Sequence, residues 1–109
     1  LFYGSSITQG GCASRPGTTY QEHISRRFDC DYINLGFSGD GTENVLWRIG
    51  NGELDGLDPK AVVLMVGTNN TGHRKLSEET PLDTLLGIQA IIERVLVKCP
   101  NAKVILHPL

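Results

Sequence analysis

Ala61-Val62-Val63-Leu64-Met65-Val66 is apolar at every position and rich in β-branched residues. That is the pattern of a central parallel strand covered on both faces. Polarity reverses at its end, where Gly67-Thr68-Asn69-Asn70-Thr71-Gly72 forms a polar loop. Parallel strands cannot be joined by tight hairpins, so the flanking sequence has to supply crossover helices.

It does so on both sides. Downstream, Thr80-Pro81-Leu82-Asp83 is a strong helix start: a capping threonine, a first-turn proline and an acid at the positive end of the helix dipole. Leu82, Leu85, Leu86, Ile92, Val95 and Leu96 then form a broad apolar stripe, ended by Pro100. Lys103-Val104-Ile105-Leu106 reads as a fourth strand, followed by His107-Pro108-Leu109. Upstream, Asp40 with Glu43 makes a capping box that opens a short helix. Val45, Leu46 and Ile49 line its inner face, and Trp47 packs at its edge.

Before it, Tyr32-Ile33-Asn34-Leu35 is a short strand running into the glycine-dense loop Gly36-Phe37-Ser38-Gly39-Asp40-Gly41-Thr42. Thr18 and Gln21 cap a helix whose stripe is Tyr20, Ile24 and Phe28, with His23 on its surface. Gln9 to Gly17 is a loop, marked by Gly10-Gly11 and Pro16-Gly17. Leu1-Phe2-Tyr3 is the end of a buried strand, and Gly4 turns the chain to deliver Ser5 and Ser6. Strand and helix alternate throughout, which implies an α/β fold with right-handed crossovers and helices on both faces of a parallel sheet.

A chain of 109 residues with 39% hydrophobic and 20% charged residues suits one domain with one core. The net charge of -2 gives no reason to expect a nucleic-acid or anionic-membrane partner. The six-residue apolar run is far too short to span a bilayer. Cys12, Cys30 and Cys99 lack Cys-x-x-Cys spacing and read as free thiols or core fillers. The sequence assigns no compartment.

Three polar loops carrying Ser6, Gly39 and Asn69 are expected at the carboxyl edge of the sheet, where such folds bind ligands. Acyl transfer needs a nucleophile and hydrogen-bond donors aimed at the developing oxyanion. Ser6 can offer a hydroxyl and its own N–H, Gly39 a backbone N–H, and Asn69 a side-chain amide.

Tyr3-Gly4-Ser5-Ser6-Ile7-Thr8 resembles the first block of the GDSL esterase and lipase group, the SGNH hydrolase superfamily. Asn34-Leu35-Gly36-Phe37-Ser38-Gly39-Asp40 resembles its second block, and Val66-Gly67-Thr68-Asn69-Asn70 its third. The run from Gly36 to Asn70 is similar to the branch related to platelet-activating-factor acetylhydrolase. The loop from Gly10 to Gly17 is more similar to bacterial members acting on acetylated sugars. The resemblance implies a three-layer α/β/α flavodoxin-like sandwich, with Ser6 as nucleophile and Gly39 and Asn69 completing an oxyanion hole. It implies no metal or organic cofactor, and a small-molecule, lipid or acetylated-sugar ester as substrate.

Two departures stand out. Ser5 occupies a position where the family often has aspartate. The family's Asp-x-x-His block, which supplies the general base and its orienting acid, has no match. By the resemblance the chain is a partial domain over residues 1–109, incomplete at both ends. It lacks a fifth strand and last helix, and its base and acid are expected beyond Leu109. His73 and His107 lie in loops near the same edge but without that context. An uncovered sheet edge invites self-association. Two other readings compete: a catalytically inactive truncated homologue, and a flavodoxin-like phosphate- or ligand-binding domain. Gly36-x-x-Gly39-x-Gly41 invites the latter but is neither Gly-x-Gly-x-x-Gly nor a P-loop.

Overall fold

The structure is a computed structural model that describes residues 1–10 and 20–109. Of the loop expected from Gln9 to Gly17, Gln9 and Gly10 end a short helix instead, and the rest, with Cys12 and the Thr18 cap, lies outside the described residues. The elements are β1 (Phe2–Gly4), α1 (Ser6–Gly10), α2 (Tyr20–Phe28), β2 (Asn34–Gly36), α3 (Thr42–Gly50), β3 (Ala61–Met65), α4 (Thr68–His73), α5 (Pro81–Lys98) and β4 (Lys103–Leu106). All three strand pairings are parallel, in the order β2-β1-β3-β4. The α/β architecture expected from the alternation is therefore present.

The strand order places the site. The chain leaves β1 toward β2 on one side, then crosses back over β1 to β3 and continues to β4. Right-handed crossovers put α1 and α2 on one face of the sheet and α3 and α5 on the other. The direction reverses between β1 and β3, so the ligand crevice of this topology lies at their carboxyl ends. Register fixes the level: Gly4 is paired with Gly36 on one side and Met65 on the other.

Most of the core lies on the α3–α5 face. Tyr3, Val62 and Leu64 meet Val45, Ile49, Ile91 and Val95 in one buried cluster. Val63 and Met65, on the opposite side of β3, are only half-buried. The strand expected to be covered on both faces is thus fully buried on one face and half-buried on the other. Phe2 is buried outside that cluster, edge-to-face with Tyr32 at 6.2 Å.

Three helix readings also change. In α5 the buried positions are Thr84, Ile91 and Val95, with Gly87 and Ile88 half-buried, while Leu82, Leu85, Leu86 and Leu96 are exposed. The stripe is turned toward small residues because α5 packs close against α3. A Cβ on Gly87 would stand 2.7 Å from Thr42 Cβ. In α2, Phe28 is 72% exposed and Ile24 37%, whereas Gln21 is fully buried and donates to the Thr8 carbonyl at 3.2 Å. The apolar period of α2 does not mark its inner face. Helix α3 begins one residue later than the expected box. Gly41 is its cap residue, with its N–H donating to Asn44 Oδ1 at 2.9 Å. Asp40 is thereby left free for a partner on α3, Arg48. Thr80 caps α5 as expected, accepting from the Asp83 N–H at 3.2 Å while Asp83 Oδ2 accepts from the Thr80 N–H at 2.7 Å.

Candidate functional site

Ser6 is the first residue of α1, immediately past the β1 edge. A first-turn N–H has no acceptor within its own helix, so the Ser6 N–H is directed off the helix end. Ser6 is exposed, whereas Ser5 beside it is buried. Helix α1 sits tightly across β1 and β2. A Cβ on Gly36 would lie 2.7 Å from Thr8 Cβ, and so would one on Gly4. Only residues without a side chain allow this helix to start so close to the strand ends. Asn34 Nδ2 holds the helix by donating to the Thr8 carbonyl at 2.6 Å.

The second loop follows β2. Phe37 N–H donates to the Gly4 carbonyl at 3.2 Å, and Ser38 N–H donates to Gln9 Oε1 at 2.6 Å. These bonds tie the Gly39 turn to the Ser6 helix. Gly39 is exposed and has φ +86°, a left-handed conformation that L side chains rarely adopt. The Asp40 N–H closes this turn by donating to the Phe37 carbonyl at 3.2 Å.

The third loop follows β3 and is a short helix, α4, rather than the irregular loop expected. Asn69 lies in its first turn, half-buried, and its Nδ2 donates to the Asp40 carbonyl at 2.9 Å. A primary amide has two N–H donors; this bond takes one of them and fixes the plane of the other. The Ser6 and Gly39 loops are joined, and the Gly39 and Asn69 loops are joined. The three positions singled out in the sequence occupy one end of the sheet, around the β1–β3 crevice.

The two histidines behave differently. His73 ends α4 and is exposed. His107 follows β4, which β3 separates from β1, and its Nδ1 is 2.7 Å from the Pro108 carbonyl. Among the described residues, no hydrogen bond joins either ring to Ser6.

Two groups around the site are not evident from motif reading. Arg48, on α3, pairs with the Asp40 carboxylate, sits 3.0 Å from Glu53, and donates to the Leu35 carbonyl at 3.2 Å. Its guanidinium lies 4.5 Å from the Phe37 ring centroid. Burial opposes its charge, but the Asp40 and Glu53 hydrogen bonds outweigh burial and raise its pKa. Tyr3 donates to Glu53 Oε1 at 2.6 Å, and burial followed by that bond pushes the phenol well above its ordinary range. The second group is Asn70. It is fully buried, accepts from the Thr42 N–H at 3.0 Å, and donates to Thr42 Oγ1 at 3.0 Å and to Glu79 Oε1 at 2.6 Å.

A profile of the GDSL-like lipase/acylhydrolase family matches residues 2–109. The chain belongs to that family. Over 73 residues it is 47% identical to the human platelet-activating factor acetylhydrolase IB subunit alpha1, and 44% identical to the rat alpha2 subunit. Each match covers 67% of this chain and 29% of the relative. Among solved structures it is similar to a GDSL-like lipase from Parabacteroides merdae (TM-score 0.75, 22% identity, 97% of this chain and 56% of that one). It is also similar to the acetyl xylan esterase AlAXEase (TM-score 0.67, 30% identity, 96% of this chain and 55% of that one). This GDSL-family chain thus spans just over half the length of those solved structures, and the aligned stretch under a third of the curated relatives.

Proposed function

We propose that this chain carries the nucleophile and oxyanion donors of a serine ester hydrolase acting on short acyl esters, acetyl esters foremost. Ser6 Oγ attacks the ester carbonyl carbon. The carbonyl oxygen, now negative, is held by the N–H groups of Ser6 and Gly39 and by Asn69 Nδ2. The alcohol leaves as the carbonyl re-forms, giving an acyl-serine that water hydrolyses. Donors fixed in advance where charge develops usually lower the barrier more than any other single effect in such reactions.

The observation that carries this reading is the Asn69 bond to the Asp40 carbonyl. It anchors a side-chain amide one residue away from the left-handed Gly39 turn. The exposure of Ser6 and burial of Ser5 favour Ser6 as nucleophile. The acetyl preference is supported by the names of the relatives, acetylhydrolases and an acetyl xylan esterase. Removing the proton from Ser6 requires a base within hydrogen-bond reach, and neither His73 nor His107 holds that place. The activity is therefore assigned to the protein expressed from its whole reading frame.

The test is labelling with a fluorophosphonate, read by mass spectrometry, beside hydrolysis of p-nitrophenyl acetate. The adduct is expected on the peptide containing Ser6, and Ser6→Ala is expected to lose both adduct and turnover. Turnover unchanged in Ser6→Ala would remove the nucleophile from this assignment.

A further inference from the structure

We infer that Arg48 is a positioning residue for the oxyanion site, setting Gly39 and Asn69 together through Asp40; this rests on the reading proposed above. The guanidinium grips the turn after β2 from both ends. At the near end it takes the Leu35 carbonyl at 3.2 Å and lies over the Phe37 ring. At the far end it pairs with the Asp40 carboxylate. Gly39 sits between those two grips. Asp40 then passes the constraint on, because its backbone carbonyl accepts from Asn69 Nδ2 at 2.9 Å. One side chain thereby fixes both the peptide that carries the Gly39 N–H and the acceptor that orients the Asn69 amide.

The anchoring of Arg48 itself is strong. Glu53 holds Nε at 3.0 Å and is in turn held by Tyr3 Oη at 2.6 Å, from the floor of the central strand β1. The planar fork of arginine is what lets one residue meet three acceptors and a ring face together. Lysine, a point charge with no fork, can keep one of these partners but not the set. The turn carries a positive φ at Gly39, so loosening its ends allows both donors to wander. A misplacement of about 1 Å can cost on the order of a hundredfold in rate.

The experiment compares Arg48→Met, Arg48→Lys and Asp40→Asn, with Lys98→Ala as a control. Lys98 pairs with exposed Asp55 at the far end of α5. In 15N-labelled 109-residue chain, the Gly39 amide and the Asn69 side-chain amide signals are read by shift and hydrogen exchange. Both are expected to move and exchange faster in Arg48→Met and in Asp40→Asn, partly recover in Arg48→Lys, and stay put in Lys98→Ala. In the protein from the whole reading frame, kcat on p-nitrophenyl acetate is expected to fall on the order of tenfold or more in Arg48→Met, with KM little changed. The double variant of Arg48→Met with Asn69→Ala is expected to lose no more than a further factor of about two to three beyond Asn69→Ala alone, because only the Gly39 share of the Arg48 effect is then left to lose. Unmoved Gly39 and Asn69 signals, a rise in KM at constant kcat, or fully multiplicative losses would overturn the inference. If Arg48→Met does not fold, the near-isosteric Asp40→Asn carries the same outcomes. Retained turnover in Ser6→Ala sinks the esterase reading alone and leaves the amide signals to decide the placement.

Discussion

Asn69 and Asn70 are neighbours in the first turn of one short helix, yet the fold treats them in opposite ways. Asn70 is fully buried, and both ends of its amide are engaged, with Thr42 on α3 and Glu79 ahead of α5. Asn69 is half-buried, with its amide bonded to a loop carbonyl. A saturated buried amide is a fastener, because every donor and acceptor it loses must be replaced inside the protein. An amide oriented by one bond, whose second N–H makes no hydrogen bond among the described residues, has capacity left for a ligand. Two identical side chains on adjacent residues thus divide into a fastener and the amide proposed for the chemistry by what surrounds them.

Exchanging each for alanine sharpens the comparison. Asn69→Ala is expected to lower kcat for p-nitrophenyl acetate by about a hundredfold or more, near 3 kcal/mol of transition-state stabilisation. Its melting temperature is expected to fall by only about 4 °C, since one part-buried hydrogen bond contributes about 1 kcal/mol. Asn70→Ala is expected to behave in the reverse sense. It leaves the buried Thr42 N–H and hydroxyl without their partner, at about 1–3 kcal/mol for each orphaned group, while Glu79 keeps Arg74 and Thr84. A fall in melting temperature on the order of 10 °C follows for a chain of this size. Calorimetry and steady-state kinetics on both variants check the pair. Equal effects on stability, or a larger catalytic loss in Asn70→Ala at a temperature where it is folded, would erase the distinction.

The parts of this molecule that are legible from sequence are those set by local pattern. The run Ala61–Val66, the Thr80 cap with Asp83, and the strand Lys103–Leu106 all appear where composition places them. Short helices hidden in polar loops are not legible. Ser6–Gly10 and Thr68–His73 have poor helix formers and no apolar period, and Ser6–Gly10 is held by a contact from β2. The inner face of α5 departs from its apolar stripe because leucine is a weaker guide than space: α3 comes so near that Thr84 and Gly87 fit there and the leucines turn outward. In the site, Ser6, Gly39 and Asn69 follow from family resemblance and loop chemistry. Arg48 does not, because its partners Leu35, Phe37, Asp40 and Glu53 become neighbours only when the chain has folded.

Gly87 offers a way to disturb the Asn70 side through its partner Thr42, leaving the Asn70 side chain itself unchanged. In Gly87→Ala the new methyl would meet Thr42 at 2.7 Å, so α3 and α5 must part. Overpacking of this kind costs about 1–3 kcal/mol, and a loss near the middle of that range is expected by chemical denaturation. Because Thr42 begins α3 while Asn69 answers to Asp40, the Asn69 amide signal is expected to shift less than that of Asn70. A larger shift at Asn69 would mean that the two sides of α4 are not separable.

The smallest expected effect concerns pH. The Glu79 carboxyl is held below the ordinary carboxylate range by the Asn70 amide first, with Arg74 and Thr84 adding to it. A group whose folded pKa lies below its unfolded value of 4.5 stabilises the fold fully above that value. The contribution is lost as pH falls through the depressed folded value. Glu79→Gln keeps an acceptor for Asn70 but cannot titrate. It is expected to be slightly less stable than the parent at pH 7 and to lose stability less steeply below about pH 4.5, the two curves approaching each other in acid. Two other carboxyls are held low in both proteins. Burial pulls that of Glu43 upward, but its bond to Arg74 and its backbone bond outweigh burial and lower it; Asp83 is lowered by Thr80. Some acid limb therefore remains in the variant, and only its slope reports Glu79. Ser6 labelling is expected to follow the same pH course in both proteins, since the Asn69 side holds its own contacts. If the variant changed the labelling profile as well, the fastener and the chemistry would share a titrating group.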